Sequence, residues 1–342
     1  MQIGVIGLGR MGSFYAQTLA HLGRNVQLAA VSDPDPRARE NVASRLSVPR
    51  VLADYEAMFQ GPRLDAVVIA SPASAHADQV VAAARAGVAI LCEKPLALTL
   101  EQTRAVLTIV QQASATLQVG FMRRFDTGYR QAKQLIDAGR IGRPTIFKAI
   151  GRDPTCPSIE YAHPARSGGL MADMAIHDFD LARWLMSSEV ERVTAEGANL
   201  ACEALASVGD IDNAVINLRF ANGAIGNVEV SRNARYGYDV RTEVLGSEGA
   251  VSVGDPAVAA EGGARMLARP TLQPNGIPFF IRRFEAAYAA QIEDFIDCLE
   301  HGRQPAIGGV DALAAFEIAS AATISWQTRN PVALSELRAA NV

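Results

Sequence analysis

The sequence is short of cysteine, of positive charge and of unbroken apolar runs, and each shortage removes a class of function. Its four cysteines, Cys92, Cys156, Cys202 and Cys298, are far apart and form no CxxC pair. Neither a metal clip nor a disulfide framework is expected; buried or half-buried thiols in a reducing cytoplasm fit better. The 32 basic residues are outnumbered by 36 acidic ones, giving a formal charge of −4. Nucleic acid, which selects basic surfaces, is not an expected partner. The richest apolar stretch is flanked by Asp65 and Arg85, so no transmembrane helix is expected and no membrane partner with it. A strand-like run follows Met1 at once, so no signal peptide is expected.

What is present describes a globular enzyme. Hydrophobic residues make up 49% and charged residues 20%, ordinary for a folded domain rather than a disordered chain. A chain of 342 residues exceeds what one core usually supports, so two domains are expected.

The first third alternates short apolar runs (Gln2–Ile6, Val26–Val31, Ala66–Ala70, Val88–Cys92, Leu117–Val119) with helical segments (Gly12–Leu22, Pro36–Leu46, Ala75–Ala86, Leu100–Ala113). Continuous apolar strands separated by helices predict a parallel, doubly wound Rossmann sheet over residues 1–122. After Phe121 the pattern changes. Strand signals at Thr145–Ile150, Val190–Ala198, Ala214–Phe220, Ile225–Arg232, Val240–Leu245 and Ala250–Val253 are closely spaced. Asn222-Gly223 reads as a two-residue hairpin turn and Ser247-Glu248-Gly249 as a second tight turn. Residues 123–342 therefore read as an α+β domain with a large, mostly antiparallel open sheet. Helices are expected at Tyr129–Ala138, Leu170–Met186, Phe284–Glu300 and Val310–Thr328, the terminal ones free to pack back on the first domain. Gly254–Pro278 reads as a loop over the active-site mouth or a subunit contact.

The opening Gly7-Leu8-Gly9-Arg10-Met11-Gly12 is GxGxxG placed directly after a strand and before a helix, the context that makes this motif specific. Gly7 permits the turn, Gly9 lets the backbone approach a pyrophosphate, and Gly12 lets helix and strand pack closely. The helix amides and dipole then face the diphosphate. Asp33 ends the second strand, 21 residues after Gly12, where a carboxylate accepts hydrogen bonds from the adenosine ribose.

Other residues suit proton transfer. Glu93-Lys94-Pro95 follows a strand whose carboxyl end should face the ligand crevice; a solvated loop lysine is the plainer alternative. Asp173 and His177 are spaced i, i+4 on one helix after Ser167-Gly168-Gly169. Histidine titrates near neutrality and a carboxylate can fix its tautomer, although a helix-surface ion pair has the same spacing. No third His or Cys accompanies the pair at metal-ligand spacing, so no metal is expected. Arg123 and Arg124 could grip hydroxyls or sit on the surface. His76, after Ser71-Pro72, could touch the cofactor or pack at a helix start.

Taken together these segments resemble the Gfo/Idh/MocA oxidoreductases over nearly the whole chain. The resemblance rests on the glycine motif, on Glu93-Lys94-Pro95 and on Gly169-x-x-x-Asp173-x-x-x-His177-Asp178. Gly120-Phe-Met-Arg-Arg-Phe-Asp126 and Tyr236-Gly-Tyr238-Asp-Val point to the inositol-type members, bacterial myo-inositol 2-dehydrogenases above all. It implies an NAD-dependent oxidation of a cyclitol ring hydroxyl, myo-inositol to scyllo-inosose first. Another polyol or aldose (scyllo-inositol, glucose) is the nearest rival, and a non-catalytic NAD-binding sensor or an NAD-using transferase or hydrolase the more distant ones. It also implies roles. Lys94, Asp173 and His177 act on the reacting hydroxyl, and Arg123, Asp180 and Tyr236 hold the others. Gly7, Gly9, Arg10, Met11, Gly12, Asp33, Ser71, His76, Glu93 and Lys94 line the cofactor site, with a cis bond before Pro95. At Ser71-Pro72-Ala73 many relatives carry Thr-Pro-Asn, a departure at the third position. Assembly as a dimer or tetramer through the open sheet face is also implied.

Asp33, with Asp35 two residues on, sets the cofactor preference. In NADP a phosphate replaces the ribose 2′ hydroxyl, and two unit charges about 4 Å apart repel by roughly 4 kcal/mol at an effective dielectric of about 20. Arg37 stands behind both acids. A kcat/KM at least about tenfold higher with NAD than with NADP is expected, narrowing in Asp33→Ser. Equal or better rates with NADP in the unaltered protein would overturn the assignment.

Overall fold

A computed structural model describes residues 1–23, 25–254 and 279–339. The expected loop Gly254–Pro278 lies, beyond Gly254 itself, outside the described residues. The chain divides into two compact units: Met1–Phe121 with Ala289–Leu313, and the remainder of the described chain.

In the first unit, β1 (Gln2–Ile6), α1 (Arg10–His21), β2 (Gln27–Ser32), α2 (Pro36–Ala43), β3 (Arg50–Leu52), α3 (Glu56–Phe59), β4 (Ala66–Ile69), α4 (Ala73–Arg85), β5 (Ala89–Cys92), α5 (Leu100–Gln112) and β6 (Leu117–Val119) follow one another. All six strands are parallel, in the order β3-β2-β1-β4-β5-β6. The doubly wound sheet is as expected, with β3 added. Its three residues are too few for a periodicity signal, and its half-exposed edge position removes the apolar run. β4 is buried at every position, which is why it reads as an unbroken apolar stretch. Gln118 Nε2 donates to Gln291 O (3.1 Å) and Val119 N to Ile307 O (3.1 Å), tying Ala289–Leu313 to this sheet.

The second unit runs through a 3₁₀ turn (Met122–Phe125), α6 (Thr127–Asp137), β7 (Pro144–Arg152), α7 (Ile159–Ala162), α8 (Pro164–Ser167), a π-helical turn (Met171–Ala175), α9 (Ile176–Met186), β8 (Val190–Ala198), a 3₁₀ turn (Glu203–Val208), β9 (Asn213–Phe220), β10 (Ile225–Ser231), β11 (Asp239–Gly246) and β12 (Ala250–Val253). Helices α10 (Phe279–His301) and α11 (Gly309–Thr328) follow, then β13 (Val332–Ala333) and α12 (Leu334–Ala339). The sheet order is β12-β11-β7-β10-β9-β8-β13. Only the β7–β10 pair is parallel, so the sheet is mostly antiparallel, as expected.

Three local expectations are corrected. Phe220 N donates to Ala224 O (3.0 Å), so three residues close the β9–β10 turn instead of two. Gly223 takes the left-handed position at φ 87°, the arrangement that follows a type I turn in three-residue hairpins. The helix expected from Leu170 opens with a π turn before the α-helix. Cys156 and Cys202 are joined in a disulfide, with Cα atoms 5.7 Å apart and a sequence separation of 46. Distance along the chain hid this pair, because the segments after β7 and β8 come together in space, where α7 packs on the Glu203–Val208 turn. Cys92 and Cys298 are buried free thiols.

Burial alternates along the antiparallel strands. Ala214, Ile216, Leu218 and Phe220 of β9 face the core, while Val215, Asn217 and Arg219 point away. Phe220 is completely buried. Truncating such a ring removes its transfer energy and leaves a cavity, so Phe220→Ala should cost about 3–5 kcal/mol in urea unfolding. A loss below about 1 kcal/mol would place the ring outside the core.

Candidate functional site

The sheet order of the first unit reverses direction between β1 and β4, and ligands of such sheets bind beyond the strand carboxyl ends at this point. Those ends carry the motifs. Gly7–Gly12 follows β1, Asp33 follows β2, Ser71 follows β4, and Glu93-Lys94 follows β5.

Side chains cap neighbouring helices: Asp35 accepts from Arg37 N on α2, and Thr99 from Gln102 N on α5. Helix α1 starts on Gly9 with no side-chain cap, which leaves its first amides directed at an external acceptor. A Cβ on Gly12 would lie 1.7 Å from Gly7 O, whereas one on Gly9 would meet nothing within 4 Å. Gly12 is therefore fixed by helix–strand contact, and Gly9 by the space a ligand backbone approach requires. Arg10 is exposed and Met11 half-buried beside them. The Asp33 carboxylate accepts from Leu8 N (2.7 Å) and Asp35 N (2.8 Å). It is thus fixed to the glycine turn and half-exposed. Arg39 spends its guanidinium on the Asp33 and Pro34 carbonyls (2.6 and 3.0 Å). This cradle fits an adenine dinucleotide: open backbone at Gly9, helix amides ahead, and a fixed carboxylate at the ribose position.

Ser71 Oγ donates to Gln79 Oε1 (2.5 Å). His76 is buried, its ring nitrogens 2.8 Å from Pro95 O and 2.9 Å from Ser71 O. Burial pushes its pKa down, against the two carbonyls. The ring staples the Ser71 loop to the Lys94-Pro95 turn, whose peptide bond is cis. Glu93 is buried and accepts from Tyr15 OH, which in turn accepts from Gln291 Nε2 (3.4 Å). Burial raises the Glu93 pKa against the Tyr15 bond. Lys94 is half-buried. Tyr15 and Gln291 lie outside any motif, and only the fold brings them to Glu93.

In the second unit, Asp173 sits in the π turn and His177 in the first turn of α9. His177 is buried. The Asp173 carboxylate accepts from Tyr161 OH (3.0 Å) and from Arg232 Nη2 (3.2 Å). With that guanidinium in place, a divalent metal at Asp173 would meet like charge. Asp210 Oδ2 lies 3.6 Å from the same Arg232 nitrogen.

Three residues expected on the substrate are engaged inside the protein. Arg123 is buried, its Nη1 2.5 Å from Asp178 Oδ1, with the guanidinium 5.8 Å from the Phe284 ring. Asp180 is buried and binds Arg124 through both oxygens (2.8 and 2.5 Å). Tyr236 donates to Asp239 Oδ2 (2.6 Å) and accepts from Arg152 Nη1 (2.7 Å), half-exposed at the sheet end. Burial raises its pKa.

Comparison with known proteins agrees with the fold of both units. Residues 1–121 match the oxidoreductase family's NAD-binding Rossmann fold, and residues 129–252 match the GFO/IDH/MocA C-terminal domain. The chain is 37% identical to scyllo-inositol 2-dehydrogenase (NAD(+)) of Bacillus subtilis, over 98% of this chain and 96% of that protein. It is 38% identical to inositol 2-dehydrogenase of Rhizobium meliloti, over 98% and 99%. The crystal structure of Lactobacillus casei scyllo-inositol dehydrogenase with bound NAD(H) and scyllo-inositol superposes with a TM-score of 0.87 at 30% identity, covering 98% of this chain and 99% of that one. With both domain models matched in order and full-length relatives well above 30% identity, the chain belongs to the Gfo/Idh/MocA oxidoreductase family.

Proposed function

We propose that the protein is an NAD-dependent inositol 2-dehydrogenase that oxidises a secondary ring hydroxyl of a cyclitol, myo-inositol to scyllo-inosose in the first instance. The observation that carries this reading is the full-length likeness to inositol 2-dehydrogenases, in a chain that keeps both the dinucleotide cradle and the Asp173/His177 pair. Gly9, Gly12 and Asp33 would hold the dinucleotide, which when bound supplies the two-electron acceptor. His177 takes the proton of the reacting hydroxyl, a task for which imidazole is suited near neutral pH. Asp173 fixes its orientation, and Lys94 donates a hydrogen bond to the same hydroxyl. Glu93 and His76 act at one remove, by holding the turn that carries Lys94.

Oxidation at C2 removes the only stereocentre at which myo- and scyllo-inositol differ, so both give the same ketone. Initial rates of NADH formation over a panel of cyclitols and aldoses decide between them. A non-catalytic sensor would show no turnover with any member. The reading places the enzyme in the cytoplasm, where NAD is plentiful; the Cys156–Cys202 disulfide points the other way. No helix among the described residues is long and apolar enough to cross a membrane.

His177→Ala should lower kcat by about 10²–10⁴-fold with NAD affinity little changed. Retention of more than about a third of the activity removes His177 from the reaction. Lys94→Ala should lose most activity, and Lys94→Arg should not restore it fully, because a planar fork cannot replace a point donor. Intact kcat/KM with only thermal stability altered would make Lys94 a loop lysine.

We also infer assembly through the outward face of the second sheet. Val215, Ile225 and Leu245 are 45%, 47% and 41% exposed there, among polar residues such as Asn217, Arg219 and Asn227, and covering them with a second copy would remove that apolar area from water. Light scattering should find a homo-oligomer, a dimer or tetramer, and Val215→Asp with Ile225→Asp should dissociate it. A stable monomer of the unaltered protein at micromolar concentration would refute the assembly.

A further inference from the structure

Arg232 is among the largest fully buried side chains of the described residues and follows β10 directly. A buried guanidinium is costly unless carboxylates surround it. Two do: Asp173 Oδ2 at 3.2 Å and Asp210 Oδ2 at 3.6 Å from Nη2. Asp210 has a second task, since its Oδ1 accepts from Leu170 N (3.0 Å), the residue just ahead of the π turn. The backbone of Arg232 is itself fixed, its N–H donating to Asp212 O (2.8 Å). Asp212 in turn accepts from the backbone amides of Leu200, Ala201 and Cys202. The π turn is thus held at two points from the sheet side, by its Asp173 carboxylate and by its leading amide. Such turns are rare, and those that occur are frequent at functional sites.

We propose that Arg232 is a positioning residue for the proton transfer. It fixes the Asp173 carboxylate and, through Asp210, the π turn, so that His177 four residues later is presented in one orientation. The inference rests on the dehydrogenase reading given above and deepens it. Both carboxylates approach one guanidinium nitrogen, Nη2, and a lysine ammonium on its flexible stem would hold them in a less fixed position.

A purely structural Arg232 would affect melting temperature and leave the kinetics of the folded protein intact. The proposal demands a split between kcat and cofactor binding. Arg232→Gln and Arg232→Lys are compared with the unaltered protein by thermal unfolding, by NADH binding through fluorescence, and by steady-state rates with NAD and the best cyclitol of the panel. Arg232→Gln should lower kcat by about a hundredfold, the cost of an ångström-scale misplacement. Arg232→Lys should recover part of that loss, and NADH affinity should stay within about twofold in both, since no cradle residue is altered. A kcat within about twofold of the unaltered protein in folded Arg232→Lys and Arg232→Gln overturns the proposal, whatever their melting temperatures. Should neither fold, Asp210→Asn carries the test. It keeps an acceptor for Leu170 N but removes the charge beside Arg232, and an unchanged kcat there overturns the proposal. Absence of turnover by the unaltered protein with every cyclitol overturns the dehydrogenase reading and this inference together. An active protein with unaffected variants overturns the inference alone.

Discussion

A parallel sheet covered on both faces leaves only its strand ends for chemistry. Within the first unit every residue of β4 is buried, and β1 is buried from Ile3 onward, so no polar group there can meet a ligand without the cost of burial. The glycine turn, Asp33, Ser71 and Lys94 stand at the carboxyl ends because these are the positions where backbone amides and charged groups stay accessible. The adjoining loops are then fixed to one another: Asp33 to the glycine turn through Leu8, and Ser71 to the Lys94-Pro95 turn through His76.

The second unit solves a different problem. Its helix α9 carries a buried histidine between residues that take part in buried or nearly buried ion pairs. Arg123 and Arg124 of one 3₁₀ turn hold Asp178 and Asp180 of α9, while Arg232 of the sheet holds Asp173 of the π turn. Pairs of this kind add little net stability over an apolar packing, but removing one partner leaves a costly lone charge. They constrain geometry more than they strengthen the fold. Arg123 and Asp180, which the resemblance places on substrate, are both members of such pairs.

Much of the fold was legible because its signals are local. Period-two and unbroken apolar runs gave the strands, and the glycine motif and the Glu93-Lys94-Pro95 segment marked the cofactor end. The missed features share a different cause. β3 is a three-residue edge strand, Tyr15 bonds Glu93 and is itself met by Gln291 from the far end of the chain, and Cys202 finds Cys156 only after two loops meet.

The sequence by itself determined the Rossmann unit, the mostly antiparallel sheet and the family, since each is written in contiguous segments whose spacing has a physical meaning. Tertiary structure alone decided which charges face each other. Asp173 is held by Tyr161 and by Arg232, 59 residues away, and Arg123 by Asp178, 55 residues away. Coulomb attraction depends on distance in space and on local desolvation, and neither is encoded in the spacing of residues along the chain.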